Sequence, residues 1–350
     1  MTNAIPQHVH LVGSIGLDNV PEIFRTLGKG LGRRLKRVPD GEVGGRRLWV
    51  SWQYPLLRAN PFLAATDVAR PRTGFLELKI ADGVDPKDIV FGELGYAREA
   101  RASYLDFLEA KGRGELPPDV RFQVCLPTPL AVVNSFCRAE DGPEIEKAYE
   151  QAMMAEVAAL CEAIPHKDLC IQWDICIEMV FWDGQDYRGR TRRGDVTNES
   201  IIERTKRICA AIPADVELGI HLCYGDFEAK HFVEPRDAGK MVEFANALAA
   251  AIKHPLAYVH MPVPVNRSDD AFFAPLADLR LAKDTEVYLG VVHGSDGKDG
   301  TTRRIAAAAN YLKDFGIACE CGIARARRPD LVAAILEVHA QTSREPARRA

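Results

Sequence analysis

The strongest constraint in this sequence is a repeated alternation of short, nearly continuous apolar runs with longer stretches of helical spacing. The β-rich runs fall at residues 8–15, 88–92, 121–127, 169–176, 216–223, 257–262, 287–293 and 317–321. Most are apolar throughout rather than alternating, the pattern of parallel strands buried on both faces. Helical patterns occupy 96–111, 144–163, 200–211, 238–252, 302–315 and 329–339. Eight strand–helix alternations with few hairpin signals predict an α/β fold of the closed (β/α)8 TIM-barrel type, one domain over residues 1–340. A doubly wound open sheet is the competing architecture. No Gly-x-Gly-x-x-Gly follows the first run, however, which ends Gly13-Ser14-Ile15-Gly16. Residues 17–87 are too long for a simple loop and are expected to form an insertion over the barrel mouth. They contain a helix-like stretch at 20–31, the motif Asp40-Gly41-Glu42 and a Trp-rich run at 48–57. Residues 341–350 are expected to be a disordered tail.

With 350 residues, 47% hydrophobic and 27% charged, the chain has ample apolar material for a core. A formal net charge of −4 gives no general attraction to nucleic acid or to an anionic membrane. The basic clusters at 33–37, 188–193 and 325–328 read as solvated faces, with Arg325 the one best placed to meet an anionic substrate group. The N-terminus lacks a signal-peptide pattern, and no apolar run approaches the roughly 20 residues of a membrane span. The expected setting is therefore the cytoplasm, with reduced thiols. There the nine cysteines serve as core residues, metal ligands or nucleophiles. No Cys-x-x-Cys occurs, which excludes a thioredoxin-like motif and a zinc ribbon.

Catalytic groups of a parallel barrel sit where its strands end. The strand ends here carry Ser14, Glu93, Thr128, Asp174, His221, Cys223, His260, His293 and Cys321. His221 and Cys223 are two apart on one strand, so imidazole and thiol face the same way. Both are good zinc ligands; the competing reading is a buried cysteine beside a hydrogen-bonded histidine. Cys321 ends the last run and is followed by Gly322, which allows a sharp turn, whereas Cys319 lies deeper and reads as core. Three protein ligands with an open position is the layout of a catalytic zinc. The open position could take a substrate thiol and hold it as a nucleophilic thiolate. Glu93 and Asp174 also fit ordinary ion pairs under the rim, and Asp40-Gly41-Glu42 also fits plain turn chemistry.

These motifs resemble, in order along most of the chain, the C-terminal catalytic barrel of cobalamin-independent methionine synthase. His221-Leu222-Cys223-Tyr224-Gly225-Asp226-Phe227 is similar to that family's His-x-Cys-Tyr-Ser-Asp-Phe, whose His and Cys bind zinc. Glu320-Cys321-Gly322-Ile323 resembles its Asp-Cys-Gly-Leu, whose Cys is another ligand. Val12-Gly13-Ser14, Phe91-Gly92-Glu93 and Gln172-Trp173-Asp174 resemble its substrate-contacting Ile-Gly-Ser, His-Gly-Glu and Gln-Ile-Asp-Glu-Pro. The Asp40-Gly41-Glu42 motif and the ending Cys-Glu-Cys-Gly look like a separate branch of that superfamily, to which the uroporphyrinogen decarboxylase fold is distantly related. Three departures stand out. The family's glutamate ligand has no counterpart near 257–262, where His260 stands instead. The Glu after the Asp is Ile175 here. The N-terminal half-barrel and the folate-contacting Trp segment are missing.

The resemblance implies a zinc-dependent methyl- or alkyltransferase acting on a small-molecule thiol, with neither nucleic acid nor membrane as partner and a homo-oligomer as an open option. Zinc would be held by His221, Cys223 and Cys321, with His260 the candidate fourth ligand. Ser14, Glu93 and Asp174 would orient the substrate, with Asp40, Glu42 and Asp226 beside them and Asp174, Glu93 and His293 as catalytic candidates. The alkyl donor could also be an epoxide, as in epoxyalkane:coenzyme M transferase of the same superfamily. A second reading is a zinc-dependent lyase, hydrolase or decarboxylase in which His260 or His293 moves protons. A third is a barrel that keeps the metal for stability or binds a metabolite.

Overall fold

The computed structural model describes residues 5–71, 73–187, 190–226, 230–324 and 328–347. Its strands are β1 (Arg37–Pro39), β2 (Leu63–Ala69), β3 (Leu76–Ile80), β4 (Arg121–Pro127), β5 (Leu169–Ile175), β6 (Glu217–Leu222), β7 (Leu256–Pro262), β8 (Glu286–Val292) and β9 (Gly316–Cys319). Among the described residues, seven of these form one parallel sheet in the order β1-β4-β5-β6-β7-β8-β9, while β2 and β3 pair antiparallel by themselves. The seven-stranded sheet curls, because its two outer strands meet the same chain segment. Val9 bridges both Leu35, just before β1, and Ile317 in β9. Val9 N–H donates to Arg34 O at 3.0 Å, and His10 N–H to Ile317 O at 2.9 Å. Higher up, Ile15 N–H donates to Gly41 O at 2.9 Å and Ile323 N–H to Ser14 O at 2.6 Å.

The strands are apolar because both faces are covered; β5 is buried along its whole length. Helices coat the outside. The helix Val20–Leu31 shows the local logic: Asn19 caps its start by accepting from Glu22 N–H, and Pro21 sits in its first turn. Val20, Ile23, Phe24, Leu27 and Leu31 form one buried stripe, and Gly32 at φ 51° ends the helix. Inside the sheet a polar layer replaces part of the core. Gln172 Oε1 accepts from Tyr258 OH at 2.8 Å and lies 3.0 Å from His10 Nε2. Below it, at the strand starts, Arg37 pairs with Glu217 at 2.5 Å and Glu286 at 2.7 Å. This ion cluster, with Arg37 buried and both glutamates partly exposed, lies at the end opposite the strand tips.

Several sequence expectations are corrected. Residues 88–92 are not a strand: Asp85 accepts from Lys87 N–H at 3.0 Å and Pro86 opens the 3-10 turn Pro86–Asp88, so the backbone folds back there. The strand beside the first segment is instead β1, and Asp40-Gly41-Glu42 follows directly at its tip. The helix Val20–Leu31 therefore belongs to the strand–helix alternation rather than to an excursion, which begins after β1 and holds the β2–β3 hairpin. The first segment makes isolated bridges rather than a continuous strand. Residues 341–347 are not a free tail. Gln341 and Thr342 complete the helix Pro329–Thr342, Arg344 N–H donates to Pro6 O at 2.8 Å, and Glu345 reaches Arg33 and Arg34 at 3.7 and 3.9 Å. No helix among the described residues is long and apolar enough to cross a membrane.

Candidate metal centre

Three soft or borderline donors meet at the strand tips. His221 is the fifth residue of β6, Cys223 follows the strand's end, and Cys321 lies two residues beyond β9. The ligand atoms of these three all lie within 4.8 Å of one another, and all three residues are buried. Cys321 Sγ stands 3.8 Å from His221 Nε2 and 3.8 Å from Cys223 Sγ, across 100 residues of chain. A tetrahedral zinc with bonds of about 2.3 Å to sulfur and about 2.0 Å to nitrogen puts its donors roughly 3.5–3.8 Å apart. The two spacings from Cys321 fit such an ion, and the third pair lies within 4.8 Å.

The protonation of His221 can be deduced from its neighbour. His260 stands opposite His221 in the β6–β7 register. Its Nε2 lies 2.9 Å from Cys319 O, which only accepts, so Nε2 carries the hydrogen. Burial pushes His260 down to about 3, so the ring is neutral and its Nδ1 is bare. Nδ1 of His221 lies 2.7 Å from that atom and must be the donor. The bare nitrogen of His221 is therefore Nε2, the one that faces Cys321. His260 is not among the clustered ligands: both its nitrogens are spent, one on Cys319 and one on orienting His221. Gly225 N–H donates to Cys223 Sγ at 3.2 Å. Gly225 has φ 92°, and a Cβ there would fall 1.9 Å from Phe232. The neighbouring Cys176 thiol, ahead of burial, raises the Cys223 thiol well above its usual range, so a metal must displace a proton to bind there.

The three donors line a cavity of about 270 Å³, whose wall also carries Ser14, Glu42, Asp174 and Asp226. Ser14 Oγ is buried without a hydrogen-bond partner among the described residues, which suits a ligand contact. Gly322 must be glycine for Ser14 to sit there, since a Cβ would fall 2.2 Å from Ser14 Oγ. Asp174 Oδ1 accepts from Gln172 Nε2 at 2.8 Å and lies in register with His221. Among the described residues, the non-glycine residues with left-handed φ are Glu42 at 49° and Trp49 at 54°, and both line this cavity. Such backbone costs about 1–3 kcal/mol per residue and gathers at functional sites.

Other expected site residues lie elsewhere. Glu93 is exposed, pairs with Arg98 at 3.2 Å and does not line the cavity, because the strand expected to carry it does not form. Asp40 is buried but committed: it accepts from Glu42 N–H at 2.9 Å, Arg46 at 2.8 Å and Ser103 at 2.7 Å, holding the turn after β1. His293 spends Nε2 on Val263 O at 2.8 Å and does not line the cavity. Arg325 and Phe227 lie outside the described residues.

Sequence reasoning passed over Cys176, one residue beyond β5, which packs with Cys223 and Cys321 in a buried sulfur cluster. It also passed over Arg70, and it read the 188–193 cluster as a solvated face, whereas Arg70 and Arg190 share Glu77 at 2.9 and 3.1 Å and line the cavity. His231 was missed as well; burial opposes its charge, but Glu234 and Glu320 raise it to about 10. Cys176 lies two residues after Asp174; the other signals exist only in three dimensions.

Comparison with solved structures gives the architecture a precedent. A protein assigned as a vitamin-B12-independent methionine synthase from Listeria monocytogenes superposes with a TM-score of 0.59, at 13% identity, over 97% of this chain and 99% of its own. The chain shares this fold. A B12-independent methionine synthase from Shewanella sp. W3-18-1, in complex with selenomethionine, matches with a TM-score of 0.60 at 14% identity, over 92% of this chain and 85% of its own. A methyltransferase from Methanosarcina mazei matches with 0.53 at 10% identity, over 96% and 94%. No protein-family model and no curated protein matches the chain.

Proposed function

We propose that this protein is a zinc-dependent methyl- or alkyltransferase that acts on a small thiol, built as a single (β/α)8 barrel. The bonds of the first segment to both edges of the parallel sheet support the closed barrel. The observation that carries the activity is the meeting of His221 Nε2, Cys223 and Cys321 at one wall of a cavity. His221, Cys223 and Cys321 would hold the metal. Bound zinc supplies Lewis acidity, lowering the pKa of a thiol so that it is nucleophilic at neutral pH. His260 fixes the tautomer of His221. Ser14 and Asp174 stand beside the trio to orient the polar end of the substrate, and Asp226 and Glu42 border the same space. Trp49 and Phe232 exclude water from the sulfur side. The methyl-transferring enzymes that share the fold, one of them holding selenomethionine, favour group transfer to sulfur or selenium over the lyase and hydrolase readings.

A selenol tests this directly. Zinc-loaded protein mixed with a small aliphatic selenol is expected to show a zinc–selenium scattering path in its X-ray absorption spectrum. In the double variant Cys223→Ser, Cys321→Ser, the metal and the path should both be lost. A metal whose surroundings ignore thiols and selenols alike contradicts thiol activation.

A further inference from the structure

We infer that Cys176 is a fourth protein ligand of the metal, one that the substrate thiol displaces. The inference rests on the metal centre proposed above and adds the occupant of its remaining position. Register places Cys176 where a ligand is needed. On β5 and β6, Asp174 stands opposite His221 and Ile175 opposite Leu222, so Cys176 is level with Cys223. The Cys223 N–H bond to Ile175 O, at 3.0 Å, continues the ladder to that level. Cys176 then opens the helix Ile177–Trp182, and its thiol packs against those of Cys223 and Cys321.

Cys176 is 3% exposed and packs against the same sulfur cluster as Cys223 and Cys321, with Trp49 and Phe232 over it. It also lines the cavity in which a substrate would lie. It is not one of the three donors grouped within 4.8 Å; it touches them through Cys223. A thiol that touches the set without being inside it is placed to swing onto a metal and off again.

The alternatives for a fourth donor are weaker. His260 has no nitrogen left. Asp174 Oδ1 is engaged by Gln172. Soft thiolate suits a site already holding two sulfurs better than a carboxylate does. The exchange balances. The bond from Cys176 Sγ to the metal breaks, a bond from the substrate sulfur forms, and the substrate's S–H proton ends on Cys176 Sγ. No net proton is released, and the site is never open to water before the substrate arrives.

The test is the sulfur count in zinc-edge X-ray absorption spectra of the resting protein, compared with Cys176→Ala and Cys176→Ser, with circular dichroism to confirm folding. The expected result is three sulfurs and one nitrogen in the parent, falling to two sulfurs in both variants. Binding a thiol should release no proton from the parent and about one from either variant, read by calorimetry in buffers of different ionisation enthalpy. Two sulfurs in the parent and an unchanged count in the variants overturn the role of Cys176 alone. Failure of the parent to bind zinc overturns both this role and the metal centre beneath it. If the Cys176 variants do not fold, a parent count of two sulfurs still overturns the inference and a count of three upholds it.

Discussion

His260 decides which nitrogen of His221 is bare, although no rule of ligand spacing would find it. Its own Nε2–H is tied to Cys319 O at 2.9 Å, so its Nδ1 can only accept from His221. Replacing it (His260→Ala) frees His221 to flip or to change tautomer. Zinc affinity should fall about 10–100-fold in competition with a chromophoric chelator; an unchanged affinity contradicts the orienting role. Gly322→Ala is the second residue-scale case. The added methyl meets Ser14 Oγ at 2.2 Å and Ser14 N at 3.1 Å, next to Cys321. It should destabilise the fold by about 1–3 kcal/mol in denaturant titration and weaken metal binding as well. Much of this centre was legible in the sequence. His-x-Cys at a strand tip and Cys-Gly after another are patterns of strand geometry, and both fall where the fold puts them. The orienting role of His260 was not legible, because it depends on which strand lies beside β6 and in what register.

At the scale of elements, the two edges of the curled sheet are joined by a segment that is barely a strand. Residues 8–15 bond both edges of the sheet, yet through isolated bridges. Val9→Pro removes the N–H that reaches Arg34 O and should cost about 3 kcal/mol or more in chemical unfolding. A near-neutral effect there contradicts the view that this segment joins the two edges. The same element explains where sequence reading failed. The sheet uses only Arg37–Pro39 from its region, too short a run to show periodicity, lying between a basic cluster and an Asp-Gly turn. The apolar residues at 88–92 offered a plausible substitute, but Asp85 and Pro86 commit the backbone to a turn. Glu93 was misplaced with them, whereas Ser14, Asp174, His221, Cys223 and Cys321 line one cavity, each on or just beyond a segment that bonds into the sheet. The β2–β3 hairpin was hidden within the long connection, and with it Arg70 on the cavity wall.

The whole molecule buries neutral imidazoles outside the His221–Cys223–Cys321 trio, and this sets its response to acid. Burial lowers His339 to about 4 and His10 well below its usual value. The unfolded chain takes up protons on these groups below about pH 6.5, while the folded chain does not, so stability falls as pH drops through that range. For His339 the loss runs from about 6.5 down to about 4 and amounts to about 3 kcal/mol. His339→Gln should flatten the pH dependence of denaturant unfolding in that window; an unchanged slope contradicts the assignment. Zinc held by the proposed centre would add its own stabilisation, so a chelator should lower the melting temperature of the zinc-loaded protein. The central claim is that chain regions 100 residues apart share one metal. The most direct measurement is an anomalous difference map at the zinc edge from crystals of the zinc-loaded protein. The account predicts a single strong peak about 2.0–2.1 Å from His221 Nε2 and about 2.3 Å from the sulfurs of Cys223 and Cys321. No peak among those three residues, or a Cys223–Cys321 disulfide in its place, would contradict it.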